Sequence, residues 1–220
     1  MITVVLTVKN RPEKEVFRCV ESLLFQKCKI IIVDYGSSED NLKWERDILK
    51  NTNVLLIEVK NDTEIFNKSR ALNIGIKVAD TEYVMAGDID LVYAKNLIVE
   101  ITKVMDTNKL ISIRRFNTSS NGKIIRPSVR SYGGCIVLLK EWLYKVHGFD
   151  ENFTGWGHED SDIIDRAIAD GLTYEILPAK VTRCFHQFHK QENINNTEND
   201  TYYNVKNKQL IRNLARWGII

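Results

Sequence analysis

Short runs rich in β-branched residues alternate with helical patterns through the first 90 residues, and this alternation constrains the fold most strongly. Four runs predict strands, and the three segments between them predict helices. In chain order they are strand 2–8, helix 13–25, strand 30–34, helix 42–49, strand 54–59, helix 68–78 and strand 83–86. This order predicts an α/β fold with a doubly wound, mostly parallel sheet.

Ligands of such sheets bind beyond the carboxyl ends of the strands, so residues that directly follow each strand are binding candidates. They lie in segments 7–11, 34–38 and 87–90. The sequence contains neither a G-x-G-x-x-G fingerprint nor a Walker A loop. This argues against the two commonest nucleotide-binding versions of the layout.

The pattern changes after residue 90 and favours a smaller antiparallel portion. A polar turn at 118–123 predicts a hairpin, and the Asn-rich stretch 190–200 predicts a mobile surface loop. The other expected elements are helices 96–105, 141–146 and 202–217 and strands 110–115, 135–139, 173–177 and 181–185.

Length and composition favour one domain: the chain has 220 residues, of which 44% are hydrophobic. The net charge of +2 gives no bulk electrostatic reason to expect nucleic acid as a partner. The first apolar run is too short to span a bilayer and has no basic leader. We expect a cytoplasmic protein without a transmembrane segment, for which peripheral membrane association stays open. The four cysteines form no C-x-x-C pair and are expected to be reduced.

Asp88 and Asp90 form a D-x-D motif after the apolar strand 83–86. Alternate residues of an extended segment lie on one side, so both carboxylates could hold a divalent cation that bridges a diphosphate. A D-x-D arises readily by chance, and a second one occupies 160–162. The place at a sheet's carboxyl edge, after Gly87, favours a metal site over a solvated turn.

A Gly-Trp-Gly segment at 155–157 runs directly into a group of acids. The glycines predict a hinge-like loop that can swing the Trp156 ring. Glu159, Asp160 and Asp162 lie on the first turn of a predicted helix. Acids there are also ordinary partners of the helix dipole, and for Glu159 or Asp162 alone that interpretation is favoured.

His186 and His189 end the last predicted strand. Residues i and i+3 of an extended segment point to opposite faces, so we expect at most one of them to bind a metal. Oxygen ligands with one imidazole suit Mn²⁺, with Mg²⁺ as a substitute. Asp34 follows an apolar strand and could accept a hydrogen bond from a nucleobase, although a turn-forming role fits the local sequence equally well.

Four sequence blocks, in the same order, resemble the GT-A glycosyltransferases. The likeness is strongest to the β-1,4-galactosyltransferase family and extends to chondroitin-polymerase-type and polypeptide N-acetylgalactosaminyltransferase modules. The blocks are 66–75 (FNKSRALNIG), 87–91 (GDIDL), 132–134 (YGG) and 148–160 (GFDENFTGWGHED). They cover most of residues 60–170.

This resemblance implies transfer of a hexose or N-acetylhexosamine from a UDP-sugar to an acceptor glycan hydroxyl, with inversion at the anomeric carbon. It implies Asp160 as the catalytic base and a metal site formed by Asp90, Asp88 and His186. The implied substrate contacts are Asp34 at the uracil, Phe66 and Lys68 beside the UDP, Arg70 near the diphosphate, Asp88 at the ribose or donor sugar, Gly134 under the sugar, Trp156 as a lid and Glu159 at the donor or acceptor sugar.

Two positions depart from the galactosyltransferase pattern. Those enzymes have Gly where this chain has His158, and a Met ligand three residues before the metal histidine, where this chain has Arg183. An arginine cannot bind a cation, so the third protein ligand and the role of His158 stay open. The sequence shows no Golgi-type anchor and stem, which fits a bacterial or viral relative acting in the cytoplasm.

We therefore expect one GT-A domain over 1–220, with a nucleotide-sugar half at 1–90, an acceptor half at 91–190 and a polar loop with a C-terminal helix at 191–220. The expected role is surface polysaccharide synthesis. A nucleotidyltransferase or nucleotide-sugar hydrolase is an alternative that would act without a sugar acceptor. A non-catalytic binding module is a third alternative, but it would be expected to lack Asp90 or Asp160. The donor hexose, the acceptor and the oligomeric state stay open.

Overall fold

The structure, a computed structural model, describes residues 1–61, 65–125, 133–155, 157–189, 197–205 and 209–219. The elements in these ranges follow in chain order. They are β1 Ile2–Val8, α1 Glu13–Leu24, β2 Cys28–Tyr35, α2 Glu39–Leu49, β3 Val54–Val59, α3 Lys68–Val78, β4 Tyr83–Asp88, β5 Leu91–Tyr93, α4 Leu97–Val104, β6 Lys109–Ile113, β7 Arg115–Thr118, β8 Ile124–Ile125, β9 Cys135–Leu139, α5 Lys140–Lys145, α6 Glu159–Ala169, β10 Thr173–Leu177, β11 Cys184–His186 and α7 Thr197–Val205.

A seven-stranded sheet in the order β10-β6-β9-β4-β1-β2-β3 forms the centre of the fold. The neighbours among β4, β1, β2 and β3 pair in parallel, as do β10 and β6. The strand β9 is antiparallel to both of its neighbours. Since helices connect the parallel strands of the first half, the predicted α/β fold with a doubly wound, mostly parallel sheet is confirmed.

Helices cover both faces of this sheet. On one face α1 and α4 pack against alternate strand residues such as Val4 and Leu6. On the other face α3, α5 and α6 pack around residues such as Val5. A β-carbon at Gly75 would clash with the Val5 side chain, so α3 lies very close to β1. A crossover helix runs antiparallel to its strands, and α3 therefore begins at the carboxyl edge of the sheet.

A second, four-stranded sheet in the order β5-β11-β7-β8 lies beyond that edge. The predicted strand 110–115 divides at Arg114, so that β6 belongs to the large sheet and β7 to the small one. The predicted hairpin is confirmed as the antiparallel pair β7–β8. The pairing of β11 with β5 sets His186 opposite Leu91, directly after Asp90. The small sheet thus carries histidine side chains to the D-x-D motif.

The predicted C-terminal helix is wrong in its bounds. Helix α7 begins at Thr197, within the stretch expected to be a loop, and ends at Val205, while residues 209–219 form turns rather than a helix. The remainder of the expected loop, 190–196, lies outside the described residues. Arg212 pairs with buried Asp162 at 3.6 Å, and buried Trp217 lies 3.7 Å below the Lys77 ammonium. These tertiary contacts override the helical pattern of the tail. In the described part of the chain, we find no helix with the length and apolar character needed to cross a membrane.

Two acids, Glu45 on the buried side of α2 and Asp34 near the end of β2, lie close together, and each is about 1% exposed. Both carboxyl oxygens of Glu45 and Oδ2 of Asp34 have no hydrogen-bond partner among the described residues. Burial raises the pKa of Glu45 from its usual value of 4.5 to about 8, and the nearby carboxylates of Asp34 and Glu58 act in the same direction. Glu45 is therefore neutral in the folded chain at pH 7.

The substitution Glu45→Gln is expected to remove a pH dependence of folding stability. Between pH 4.5 and about 8 the unfolded chain ionises Glu45 while the folded chain does not. The free energy of unfolding should therefore fall as pH rises through this window, on the order of 1 kcal/mol per pH unit. Urea denaturation at pH 5, 6, 7 and 8 measures the slope, with Glu21→Gln on the exposed face of α1 as the control. Parallel pH profiles for wild type and Glu45→Gln would contradict the assignment.

Candidate active site

The two aspartates of the D-x-D motif face different partners. Asp88 is the last residue of β4, whereas Asp90 lies in the turn that leads into β5, so the segment is not extended throughout. Asp88 Oδ1 lies 2.7 Å from the Nζ of Lys68, and its Oδ2 lies 3.9 Å from a guanidinium nitrogen of Arg115. Asp90 instead faces two histidines. Because of the turn between them, the two aspartates belong to two separate clusters of side chains.

The first cluster, the metal triad, consists of Asp90, His186 and His189. Oδ2 of Asp90 lies 3.4 Å from Nε2 of His186 and 3.3 Å from Nε2 of His189, and the two Nε2 atoms are 3.3 Å apart. The expectation that the two histidines point to opposite faces is wrong, because the extended strand β11 ends at His186, before His189. That at most one of them binds a metal stays a prediction. The structure places Asp88 outside this group.

The triad fits a divalent cation. Ligands of one small ion lie about 3 Å from each other, close to the spacing found here. Oδ1 of Asp90 is buried without a hydrogen-bond partner among the described residues, and Oδ2 lies 3.4 Å from Nη2 of Arg11. Burial alone would raise the pKa of Asp90, but hydrogen bonds from His186 and His189 and the charge of Arg11 hold it well below its usual range. One carboxylate with two imidazoles suits Mn²⁺.

His189 also bears on the ligand that the resemblance implies three residues before the metal histidine, where counting from His186 gives Arg183. With His189 in the metal site, the residue three positions earlier is His186, which can bind a metal, rather than Arg183. The His-x-x-His spacing of 186 and 189 was the sequence signal for this pair. Arg183 lies elsewhere, with its guanidinium 5.9 Å from the centre of the Phe185 ring.

The second cluster, the lysine cluster, consists of Lys68, Asp88, Glu159 and Asp160. The ammonium of Lys68 lies 2.7 Å from Asp88, 2.9 Å from Glu159 and 3.6 Å from Asp160. Lys68 is the first residue of α3, and the two later acids begin α6. Burial would lower the pKa of Lys68, but the three carboxylates raise it well above its usual value. Lys68 is therefore a permanent cation that joins the two halves of the chain.

Gly133 and Gly134 let the acids of this cluster approach one backbone segment. A β-carbon at Gly133 would clash with the Asp160 carboxylate, and one at Gly134 would clash with Asp88. Gly134 also has a φ of 82°, in the left-handed region that favours glycine. Its carbonyl accepts a hydrogen bond from the Asp88 amide at 2.9 Å. The prediction that Gly134 lies under the donor sugar remains a prediction, but its position beside Asp88 is compatible with it.

Glu159 and Asp160 are neighbours with opposite pKa shifts. Burial would raise the pKa of Glu159, but the charge of Lys68 and its hydrogen bond lower it. Burial raises the pKa of Asp160 to about 7, because the charges of Glu159 and Asp88 offset that of the more distant Lys68. The Asp160 side chain keeps 21% of its surface exposed, so a substrate can reach it. A reachable carboxylate that titrates near neutrality is suited to proton transfer.

The other predicted site residues are distributed around these clusters. Asp34 is buried and accepts a hydrogen bond from the Ser37 amide at 2.9 Å, which is the turn-forming role. The Phe66 carbonyl accepts from the Gly155 amide at 2.7 Å, and Arg70 donates to the carbonyl of Ile219 at 3.3 Å. Their predicted contacts with the donor stay predictions. Trp156 lies outside the described residues.

Asp162 has a structural role, as its position in the acidic helix suggested. It is fully buried and accepts a hydrogen bond from Arg166 at 2.8 Å, four residues later on the same helix. His158, the departure from the galactosyltransferase pattern, has a φ of 70° and precedes α6 as its N-cap residue. A glycine would occupy this left-handed position without strain.

Sequence comparison finds similarity to galactosyltransferases. Residues 114–190 match a family model described as the N-terminal domain of galactosyltransferase. The human β-1,4-galactosyltransferase 1 is 26% identical over 167 residues, which are 70% of this chain and 40% of the human protein. The chain thus spans well under half the length of this relative. The predicted resemblance to galactosyltransferases is confirmed.

Solved structures show the same architecture. The Staphylococcus aureus protein TarS (residues 1–349), in complex with UDP-GlcNAc, superposes with a TM-score of 0.69 at 16% identity, covering 87% of this chain and 59% of the other. GalNAc-T7, with UDP, GalNAc and Mn²⁺, gives a TM-score of 0.67 at 16% identity, covering 87% and 44%. The chain has the GT-A glycosyltransferase fold.

Removal of either imidazole of the metal triad is expected to weaken Mn²⁺ binding. We expect His186→Ala and His189→Ala each to raise the Kd for Mn²⁺ at least about tenfold, because each removes a ligand. The substitution Asp88→Asn should have a smaller effect, since Asp88 faces Lys68 instead of the triad. Titration with Mn²⁺ alone, followed by electron paramagnetic resonance, measures all three. The control is His147→Asn, outside the triad. Equal Kd values for wild type and His189→Ala would exclude His189 as a ligand.

Proposed function

We propose that this chain is a metal-dependent, inverting glycosyltransferase that moves a hexose or N-acetylhexosamine from a UDP-sugar to an acceptor glycan hydroxyl. The supporting observation is the pairing of the metal triad with the lysine cluster at one edge of the sheet. Asp90 belongs to the first cluster and Asp88 to the second, with one residue between them. A cation site and a carboxylate base therefore lie side by side, as transfer from a nucleotide diphosphate requires.

Asp160 is the proposed base. Its carboxylate accepts the proton of the acceptor hydroxyl as that oxygen attacks the anomeric carbon from the side opposite the diphosphate. A single displacement of this kind inverts the configuration. The ammonium of Lys68, 3.6 Å away, keeps part of the Asp160 population ionised at neutral pH despite its burial. Glu159 is ionised, and it is proposed to accept hydrogen bonds from sugar hydroxyls.

The leaving group is proposed to lie at the metal triad. A divalent ion held by Asp90, His186 and His189 would neutralise the negative charge that develops on the diphosphate. Arg11, which contacts Asp90, places a second cation at the same point. UDP or a UDP-sugar accompanies the structural relatives TarS and GalNAc-T7, and Mn²⁺ accompanies the latter, which supports the choice of donor and metal.

The division into a nucleotide-sugar half at 1–90, an acceptor half at 91–190 and a C-terminal segment is part of this proposal. Lys68 and Asp88 then come from the first half, and Glu159 and Asp160 from the second. The proposed lid function of Trp156, the uracil contact of Asp34 and the diphosphate contact of Arg70 belong here too. Surface polysaccharide synthesis and a cytoplasmic location remain predictions from the sequence.

A survey of UDP release tests the activity. Wild-type protein is incubated with UDP-glucose, UDP-galactose, UDP-GlcNAc or UDP-GalNAc, with Mn²⁺ or with EDTA, and with or without mono- and oligosaccharide acceptors. We expect one donor to release UDP faster when an acceptor and Mn²⁺ are both present, and EDTA to abolish this release. Release that no acceptor accelerates would favour a nucleotide-sugar hydrolase. Release unaffected by EDTA would contradict metal dependence.

The substitution Asp160→Asn is expected to lower kcat by about 10²- to 10⁴-fold while the Kd for UDP changes little, because it removes the base and preserves the shape. A base must be ionised, and kcat/KM reports the free enzyme, so wild-type kcat/KM should rise with pH to a plateau, with a midpoint near 7, and fall about tenfold per pH unit below it. Initial rates from pH 5 to 9 give the profile, with Asp40→Asn on α2 as the control. Full activity of Asp160→Asn would place the base elsewhere.

A further inference from the structure

Helix α7 packs against the segment that leads into the two catalytic-site acids. Tyr202 donates a hydrogen bond to buried Asp150 at 2.8 Å, and its ring packs edge-on against Phe153 at 5.1 Å between centroids. Tyr203 donates to Asp165 on α6. Helix α7 thus contacts the chain both before and after the loop at 155–157.

Asn199 of α7 holds both ends of this loop. Its side-chain amide donates to the carbonyl of Thr154 at 3.0 Å and to the carbonyl of Gly157 at 2.9 Å. Asn199 is only 3% exposed, so water competes little for these bonds. One side chain therefore fixes the distance between two backbone groups that flank the loop.

The Gly157 backbone relays this contact to the lysine cluster. While its carbonyl accepts from Asn199, its amide donates to Oε2 of Glu159 at 3.2 Å. The other carboxylate oxygen of Glu159 accepts from Lys68 at 2.9 Å. A continuous set of hydrogen bonds therefore runs from Asn199 through Gly157 and Glu159 to Lys68.

His158 forms a second connection between α7 and the start of α6. Its Nε2 lies 2.7 Å from Oδ1 of Asp200, and its ring stacks on Tyr203 with centroids 4.4 Å apart. The backbone of His158 is left-handed, a strained conformation for a residue other than glycine. Its carbonyl accepts the Asp162 amide at 2.9 Å within the first turn of α6. The contacts with α7 offset this strain at the residue that sets the direction of the helix.

We propose that α7 positions the general base, with Asn199 and His158 as the positioning residues. The inference rests on the proposed function, since it concerns the placement of Asp160 against an acceptor. Asn199 holds Gly157, His158 holds the helix start, and Glu159 and Asp160 follow directly. A small displacement of this turn moves the Asp160 carboxylate away from the attacking oxygen. The metal triad, carried by the turn before β5, by β11 and by the segment that follows β11, is not displaced.

Two substitutions test the proposal. Asn199→Ala removes both hydrogen bonds to the loop. His158→Gly removes the contacts with Asp200 and Tyr203 but retains the backbone conformation, because glycine adopts a φ of 70° without strain. We expect each to lower kcat about 10- to 100-fold, with the donor KM and the Kd for Mn²⁺ within about twofold of wild type. The matched control is Glu198→Gln, an exposed residue of α7, which should behave as wild type.

Hydrogen–deuterium exchange at the amides of residues 157–162 gives a readout that does not require activity. Both variants should exchange faster there than wild type, while β1 and β4 keep their protection. Unchanged exchange and unchanged kcat in His158→Gly would overturn the proposal, as would a loss of kcat accompanied by an equal loss of Mn²⁺ binding. If wild type transfers no sugar from any donor but the variants exchange faster, the proposed function and the role of α7 in catalysis both fail, and only the structural part stands, that α7 holds residues 157–162 in place.

Discussion

The site depends on the ammonium of Lys68. Asp88, Glu159 and Asp160 bring three carboxyl groups close together at the edge of the sheet, and without a cation their repulsion would disfavour their ionised forms. Lys68 supplies that cation from the first turn of α3, which Gly75 allows to pack directly on β1. The close packing of a helix in one half of the chain therefore sets the positions of acids in the other half.

The negative charge of the acids is compensated differently in the lysine cluster, which contains three of them, and at Asp90 in the metal triad. The lysine cluster has a cation that belongs to the protein, so its geometry is fixed before any ligand arrives. Asp90 has two imidazoles and one guanidinium, and its second oxygen is buried without a partner among the described residues. A divalent ion fits the environment of Asp90, whereas the acids of the lysine cluster already face the ammonium of Lys68. The turn at residues 89–90 separates the lysine cluster, whose cation belongs to the protein, from the metal triad, whose proposed cation can exchange.

The sequence predicted elements whose cause is local and missed features that depend on distant contacts. The strand–helix alternation succeeded because each buried run is apolar along its own length, as in β1. The two histidines were expected on opposite faces because period-two alternation was extended past His186, where pairing with β5 ends. The final helix was misplaced because Arg212 and Trp217 are held by partners far away in the sequence. The D-x-D spacing located the site but could not show that its two acids belong to different clusters.

His158 shows how a departure from a family pattern can be informative. The resemblance to galactosyltransferases implies glycine at this point, and the left-handed backbone here is one that glycine adopts without the strain that a histidine adds. The imidazole gains a carboxylate and a stacked ring, both from α7. A strained backbone persists where the surrounding structure holds the residue in place. The contacts that hold His158 come from α7, a helix that supplies none of the predicted substrate contacts. The same turn carries Asp160, so the strained residue and the proposed base are held by one set of contacts.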